Sequence, residues 1–300
     1  MKAFANLKNI VEKIKSVKNE KYLWVLLFAF FLFLRVYKVG SDISNSDAAR
    51  WHRRSINFLQ AVKSGDFKNT YQHYQPGVTI MLLNAPLKQT ATSFQRYILN
   101  RTPKTLENAD YYPVIHSLSK VQINIVLAGL LIFQAFLISQ LFNKKSAFVY
   151  VLLISAEPYL VGIDRWFHLT SMETYFSFSA LLSLIYWLHK EKPKFLYISA
   201  ALFSFAVLSK LTSLILGPVL LAILVTALCK SLSKERKFKS IIQHPLIRYG
   251  LTFLGVIFVL FPALWVSPFE VLQNLYNAIF NAVASDGRSR FFNAVLYWVY

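Results

Sequence analysis

The apolar positions of this chain fall into long blocks separated by short polar turns. Residues 22–39 form the first block, close to the ~20 residues that a helix needs to cross a bilayer. After a long polar interval, further blocks follow at 118–142, 147–163, 171–188, 195–209, 211–228 and 247–266. Another opens near residue 291 and runs to Tyr300. The pattern predicts an all-α fold, a polytopic helical membrane protein. A sequence that stops inside an apolar block predicts a fragment of a longer chain.

The intervals carry their own periodicities. Residues 1–21 hold six lysines and two glutamates, with Ile10, Val11, Ile14 and Val17 at helical spacing. They predict a basic amphipathic helix on the cytoplasmic face, or a plain basic flank. Arg35 and Lys38 sit close enough to the outer end of the first block to snorkel. Residues 40–117 form a long first loop. Within it, Ser46 is placed to cap a helix running to about Ser64, with Gly65 as its stop. Ala48, Trp51, Ser55, Phe58, Leu59 and Val62 make the apolar stripe of that helix. Residues 78–87 are apolar but too short to span, so a re-entrant or interfacial segment is expected. Residues 100–112 read as a surface excursion, and 271–284 as an interfacial helix.

Composition supports this layout. The chain is 55% hydrophobic and only 16% charged, too apolar for a soluble domain of 300 residues. A net charge of +19 would suggest nucleic acid in a soluble protein. Here the cations punctuate apolar blocks, so no nucleic acid is expected and membrane lipids are. With the N-terminus inside, the inner loops 143–146, 189–194 and 230–248 hold two, three and six Lys or Arg. The outer turns 164–170 and 209–212 hold one each, Arg165 and Lys210. The single cysteine, Cys229, excludes an intramolecular disulfide. No P-loop, GxGxxG, CxxC or HExxH motif is present, which argues against a nucleotide held in such loops.

Candidate chemistry lies where charge meets the apolar blocks. In Ser44–Arg54, SNSDAARWHRR, Asp47, Arg50 and Arg54 fall near one helical face. They read either as a site at the lipid–water interface or as an i,i+3 salt bridge. Lys210 is the only charge in residues 195–228, which suits a two-helix hairpin with Ser209-Lys210-Leu211-Thr212-Ser213 at its tip. Such a cation could hold a lipid phosphate or merely snorkel. Asp164-Arg165-Trp166-Phe167-His168 offers an acid, a cation, an indole and an imidazole in the next outer turn. That set fits sugar and phosphate recognition, or an interfacial tryptophan beside an Asp–Arg pair. Glu173 lies just inside the following block. Glu157 precedes Pro158 within another, where a proline frees backbone groups. His73, in His73-Tyr74-Gln75-Pro76-Gly77, could be a metal ligand or substrate contact, but has no partner at metal spacing.

Taken together, these motifs resemble the GT-C glycosyltransferases, specifically the protein O-mannosyltransferase and aminoarabinose transferase branch. One span is followed by a long outer loop with an early acid, Ser46-Asp47, and a later His/Pro element, HYQPG. The stretch Arg165-Trp166-Phe167-His168-Leu169-Thr170-Ser171-Met172 is similar to the Arg-Tyr-Ile-Leu-Leu-Asp-Ser-Met turn of the mannosyltransferases. Ser209-Lys210 stands where relatives have a Thr/Ser-Lys pair. Ala48, Thr170 and Gln75 depart from the family's second acid, aspartate and first proline. The resemblance covers residues 22–266 and divides the chain into a cytoplasmic segment, 1–21, and a GT-C-like transmembrane domain, 22–300.

The resemblance implies an inverting transfer from a polyprenyl-phosphate sugar donor to a lipid or protein acceptor, at the extracytoplasmic face of the cell membrane. Asp47 would be the catalytic base. Arg50, Arg54, His73, Asp164, Arg165, His168, Glu173 and Lys210 would bind substrate. No cofactor is assigned, and a divalent metal stays open. The rival reading is a lipid or glycan transporter, or a membrane scaffold. A transporter should place ionisable groups at mid-membrane on broken helices, and Glu157-Pro158 is the one feature that favours it.

Overall fold

The computed structural model describes residues 20–42, 45–233 and 244–282. The expected N-terminal amphipathic segment, the span opening near residue 291 and most of the 230–248 loop lie outside the described residues. Among the described residues every regular element is helical. The chain runs α1 (Glu20–Val36), α2 (Ser46–Ser64), α3 (Val78–Ser93), α4 (Tyr111–Leu141), α5 (Lys144–Ala156), α6 (Pro158–Asp164), α7 (Leu169–Lys190), α8 (Lys194–Ser209), α9 (Gly217–Ser233), α10 (Pro245–Leu260), α11 (Ala263–Val266) and α12 (Pro268–Ala282). This is the all-α polytopic membrane fold that the apolar blocks predict.

Three described stretches are long and apolar enough to cross a bilayer: Tyr22–Ser41, Tyr111–Leu141 and Leu211–Leu228. A fourth arises if α5 and α6 count as one broken span, bent by 65°. The remaining expected crossings differ in length or polarity. At 16 residues each, α8 and α10 reach only about 24 Å at 1.5 Å per residue, less than a ~30 Å hydrocarbon layer. The 22-residue α7 is long enough but lines its protein-facing side with Ser171, Ser179 and Ser183. The break at α5–α6 has a local cause. Glu157 is extended (φ −68°, ψ 117°), and its carboxylate accepts the amide of Leu160 at 2.5 Å, capping α6. Glu157 is thus an exposed helix cap at the break between α5 and α6.

The bundle is built outward from α4 and α7. Against α4 pack α1, α5 and α7, while α8 pairs along α7 and takes α10 on its other side. Polar side chains tie these helices where backbones approach, as small hydroxyls do in membrane interiors. Gln134 donates to the Tyr175 carbonyl (3.0 Å) and the Ser179 hydroxyl (2.9 Å), and accepts from Tyr150 at 2.6 Å. Ser199 donates to Ala180 O, and Ser204 to Phe253 O.

At one end of the bundle, Leu137, Ala147, Leu182, Tyr186 and Phe195 close the core beneath the 143–146 and 189–194 turns. At the other end the first loop caps the bundle. The capping residue of α2 is Asn45 rather than Ser46: its side chain accepts the Ala48 amide at 2.7 Å. Gly65 ends that helix at φ 74°, as expected. Ala48, Trp51, Ser55 and Phe58 are buried as the stripe predicts, whereas Val62 stays exposed. The 78–87 segment extends to a 16-residue helix, α3, packed on α2 and on the end of α8. Ile80, Met81, Trp51, Phe167 and Met172 join one core there, so the first loop is fastened to the bundle by a shared apolar interior.

Candidate active site

Four backbone segments converge at the capped end: the first turn of α2, the 73–77 turn before α3, the start of α7 with its cap His168, and the Ser209–Ser213 tip after α8. Asp47 enters from α2, where an acid in the first turn faces the positive end of the helix dipole. Arg50 binds it at 3.3 Å on the exposed side. His168, the N-cap of α7, brings Nε2 to 3.9 Å from the other carboxylate oxygen. Its Nδ1 accepts the Thr170 amide at 3.3 Å and lies 2.9 Å from the Thr170 hydroxyl. An Nδ1 that accepts leaves the proton of the neutral ring on Nε2, facing Asp47. Burial first, and Lys210 second, hold the imidazole below its ordinary range. Asp47 and Glu173 oppose that shift.

Lys210 leaves the end of α8 in extended conformation (φ −156°, ψ 133°) and reaches Glu173 Oε2 at 3.8 Å. Glu173 also accepts from the hydroxyls of Thr212 and, at 3.3 Å, Ser213. The same tip is sewn to the first loop. Gly77 donates to Ser209 O at 3.3 Å, Gln75 Oε1 accepts the Leu211 amide at 3.2 Å, and the Thr79 and Ser209 hydroxyls meet at 2.7 Å. Gly77 is required: at φ 56°, an added Cβ would sit 2.1 Å from the Trp51 ring. His73 stacks edge-on against Trp51, and the Arg54 guanidinium lies 4.4 Å over the Trp51 ring. Burial, then Arg54, lowers the His73 pKa; burial also lowers that of Arg54, with Asp47 opposing.

Seven of the nine sequence candidates therefore share one neighbourhood: Asp47, Arg50, Arg54, His73, His168, Glu173 and Lys210. It presents two carboxylates, three cations and two imidazoles at one end of the bundle. Among the described residues, no three His, Cys, Asp or Glu side chains come together as a metal-binding group.

Asp164 and Arg165 stand apart from it. Asp164 is buried and takes the guanidinium of Arg35 at 2.7 Å and the Tyr175 hydroxyl at 3.0 Å. Arg35 does not snorkel: it is fully buried and also donates to the carbonyls of Ile154 and Ser155 at the open end of α5. Arg165 is held by Asp42 at 2.6 Å and by the carbonyls of Leu34 and Tyr37. Asp42 also takes Lys120 at 3.3 Å. Both charges are thus engaged by α1 and the first loop, which gives Asp164 and Arg165 a bracing geometry apart from the Asp47 cluster.

Sequence reasoning missed a second polar group, behind α2. His52 Nε2 meets His116 Nδ1 at 3.0 Å, His52 stacks on Phe167, and Lys88 lies buried beside them. Burial is the largest cause that pushes His52 down to about 2 and Lys88 down to about 7. The sequence signal was faint: His52 and Lys88 fall on stripes that otherwise look like ordinary amphipathic faces.

Residues 118–265 match the family model described as dolichyl-phosphate-mannose-protein mannosyltransferase. No curated protein and no solved structure matches the chain.

Proposed function

Because residues 118–265 match a mannosyltransferase family model, we propose that the chain is a GT-C-like glycosyltransferase that transfers a sugar from a polyprenyl-phosphate donor to a hydroxyl of a lipid or protein acceptor, with inversion. The observation that carries the reading is the approach of two pairs, Asp47–His168 and Lys210–Glu173, within one electrostatically coupled cluster.

The chemistry follows from those groups. The acceptor oxygen attacks the anomeric carbon while the bond from that carbon to the phosphate oxygen breaks, its electron pair leaving with the phosphate. Asp47 takes the acceptor proton, and His168 presents Nε2 toward the same carboxylate from 3.9 Å. A departing lipid phosphate gains negative charge on its oxygens. Lys210, with Arg50 and Arg54, supplies the compensating positive field. Glu173, Thr212 and Ser213 hold the lysine tip in place. His73 and Arg54, both packed on Trp51, form the wall where the sugar would sit. By the distribution of basic loops, this end of the bundle faces the extracytoplasmic side of the cell membrane, with the N-terminus inside.

The test is transfer from a radiolabelled polyprenyl-phosphate hexose by the purified chain in lipid vesicles. Label should move to a lipid or protein acceptor, and Lys210→Ala should raise the donor KM more than it lowers kcat. Donor consumption without any transferred product, or an unchanged donor KM in Lys210→Ala, would refute the assignment.

A further inference from the structure

A cavity of about 780 Å³ opens on the opposite flank of α2 from Asp47. Ala49, Arg53, Ile56, Gln60 and Lys63 line it from α2, at the spacing of a single helical face. Lys88 lines it from α3, and Lys104 from the 100–110 excursion. Arg53, Lys63, Lys88 and Lys104 face one carboxylate, Glu107, so the lining is strongly cationic. Lys88 is the telling member. Its residue is only 5% exposed, and among the described residues Nζ has no hydrogen-bond partner. The face of the Phe167 ring lies beside it, with the centroid 5.8 Å away. A buried ammonium without a counter-ion carries a desolvation cost that an ion pair would offset. An anion in the cavity would remove that cost.

A second groove, of about 540 Å³, continues from the first and shares Lys104 and Tyr111 with it. Its walls include Leu87, Ala91, Phe94, Val114 and Leu118. Both lie between helices of the first loop and the start of α4, itself long and apolar enough to cross a membrane. Nearly all of their lining precedes the 118–265 family match.

We propose that these joined cavities bind a phosphate-headed lipid, its phosphate against Lys88 and its hydrocarbon chain along the Leu87–Ala91–Leu118 groove. The site is separate from the Asp47 cluster and does not rest on the transfer reading. A cationic, partly buried head site selects an anion, and a contiguous apolar groove selects an anion with a tail.

The experiment measures dioleoyl phosphatidic acid retained by the detergent-purified chain, using native mass spectrometry. Dioleoyl phosphatidylcholine and inorganic phosphate serve as competitors, and size-exclusion elution checks the fold. Lys88→Met should weaken retention about tenfold, the loss of one charge-assisted contact. Ala91→Trp, which fills the groove and spares the cation, should do the same. Lys190→Ala, at the other end of the bundle, should retain the lipid like the parent chain. Retention unchanged in folded Lys88→Met or Ala91→Trp would overturn the proposal. So would retention lost only in Lys190→Ala. Displacement by inorganic phosphate as readily as by lipid would show a free-anion site and overturn the lipid assignment.

Discussion

Removing Arg35 should test whether Asp164 braces the fold or contacts substrate. The two side chains are 0% and 1% exposed and meet at 2.7 Å, so deleting either leaves the other charged and desolvated. Breaking such a pair from one side costs about 3–5 kcal/mol. Arg35→Met also strands the Ile154 and Ser155 carbonyls, each worth about 1–3 kcal/mol if left unpaired. The single variant should therefore lose at least 3 kcal/mol, roughly, against equilibrium unfolding in mixed micelles. Arg35→Met with Asp164→Leu removes both charges and should recover a large part of that loss, since a buried pair replaced by packed apolar groups is often neutral. Donor KM in any variant that stays folded should match the parent. An Asp164→Asn protein of full stability with a raised donor KM would refute the bracing role and return Asp164 to the substrate site.

Three further outcomes follow from the same geometry. Gly77→Ala forces an L residue to φ 56° and drives its Cβ into Trp51. It should cost about 1–2 kcal/mol for the backbone alone, more for the displaced indole, and should lower transfer by loosening the loop over Lys210. Gly65→Ala, at φ 74° with open space around it, should cost only the backbone part, and unfolding curves of the two variants give the comparison. Lys88 provides a pH signature in lipid-free protein. Its folded pKa lies near 7 and its ordinary value is 10.5, so between them the unfolded chain holds a proton that the folded chain lacks. Stability should then rise as pH climbs from about 7 toward 10, and Lys88→Met should flatten that rise in thermal melts. His52, held to about 2 against an ordinary 6.5, acts at lower pH. Stability should fall as pH drops below 6.5, and His52→Phe should blunt that fall.

The membrane fold was legible because hydrophobic block length reads directly as helix length, and the blocks at α1, α4 and α9 needed nothing more. The hairpin tip at Lys210 was legible for the same reason: one charge in 34 apolar residues marks a turn. The grouping of Asp47 with Lys210 came from topology, since successive spans alternate sides. What stayed hidden were pairings across large sequence separations. Arg35 looks like a snorkelling cation until α6 folds back to place Asp164 against it, 129 residues later. Arg165 looks free until the first loop brings Asp42 to it. The broken α5–α6 helix was read as one span because Pro158 tolerates continuation as well as a bend, and only the Glu157 cap decides between them. The His52–Lys88 group escaped because a polar residue on an amphipathic stripe carries no periodic signal of its burial.

Asp47 is the pivot of the proposed chemistry, and Asp47→Asn is its most direct test. The change preserves shape and the capped first turn of α2 while removing the proton acceptor. Transfer from a labelled polyprenyl-phosphate sugar, measured in single turnover alongside donor affinity, should fall by about 10²–10⁴-fold with donor affinity retained. Transfer at the parent rate in a folded Asp47→Asn protein would contradict the account.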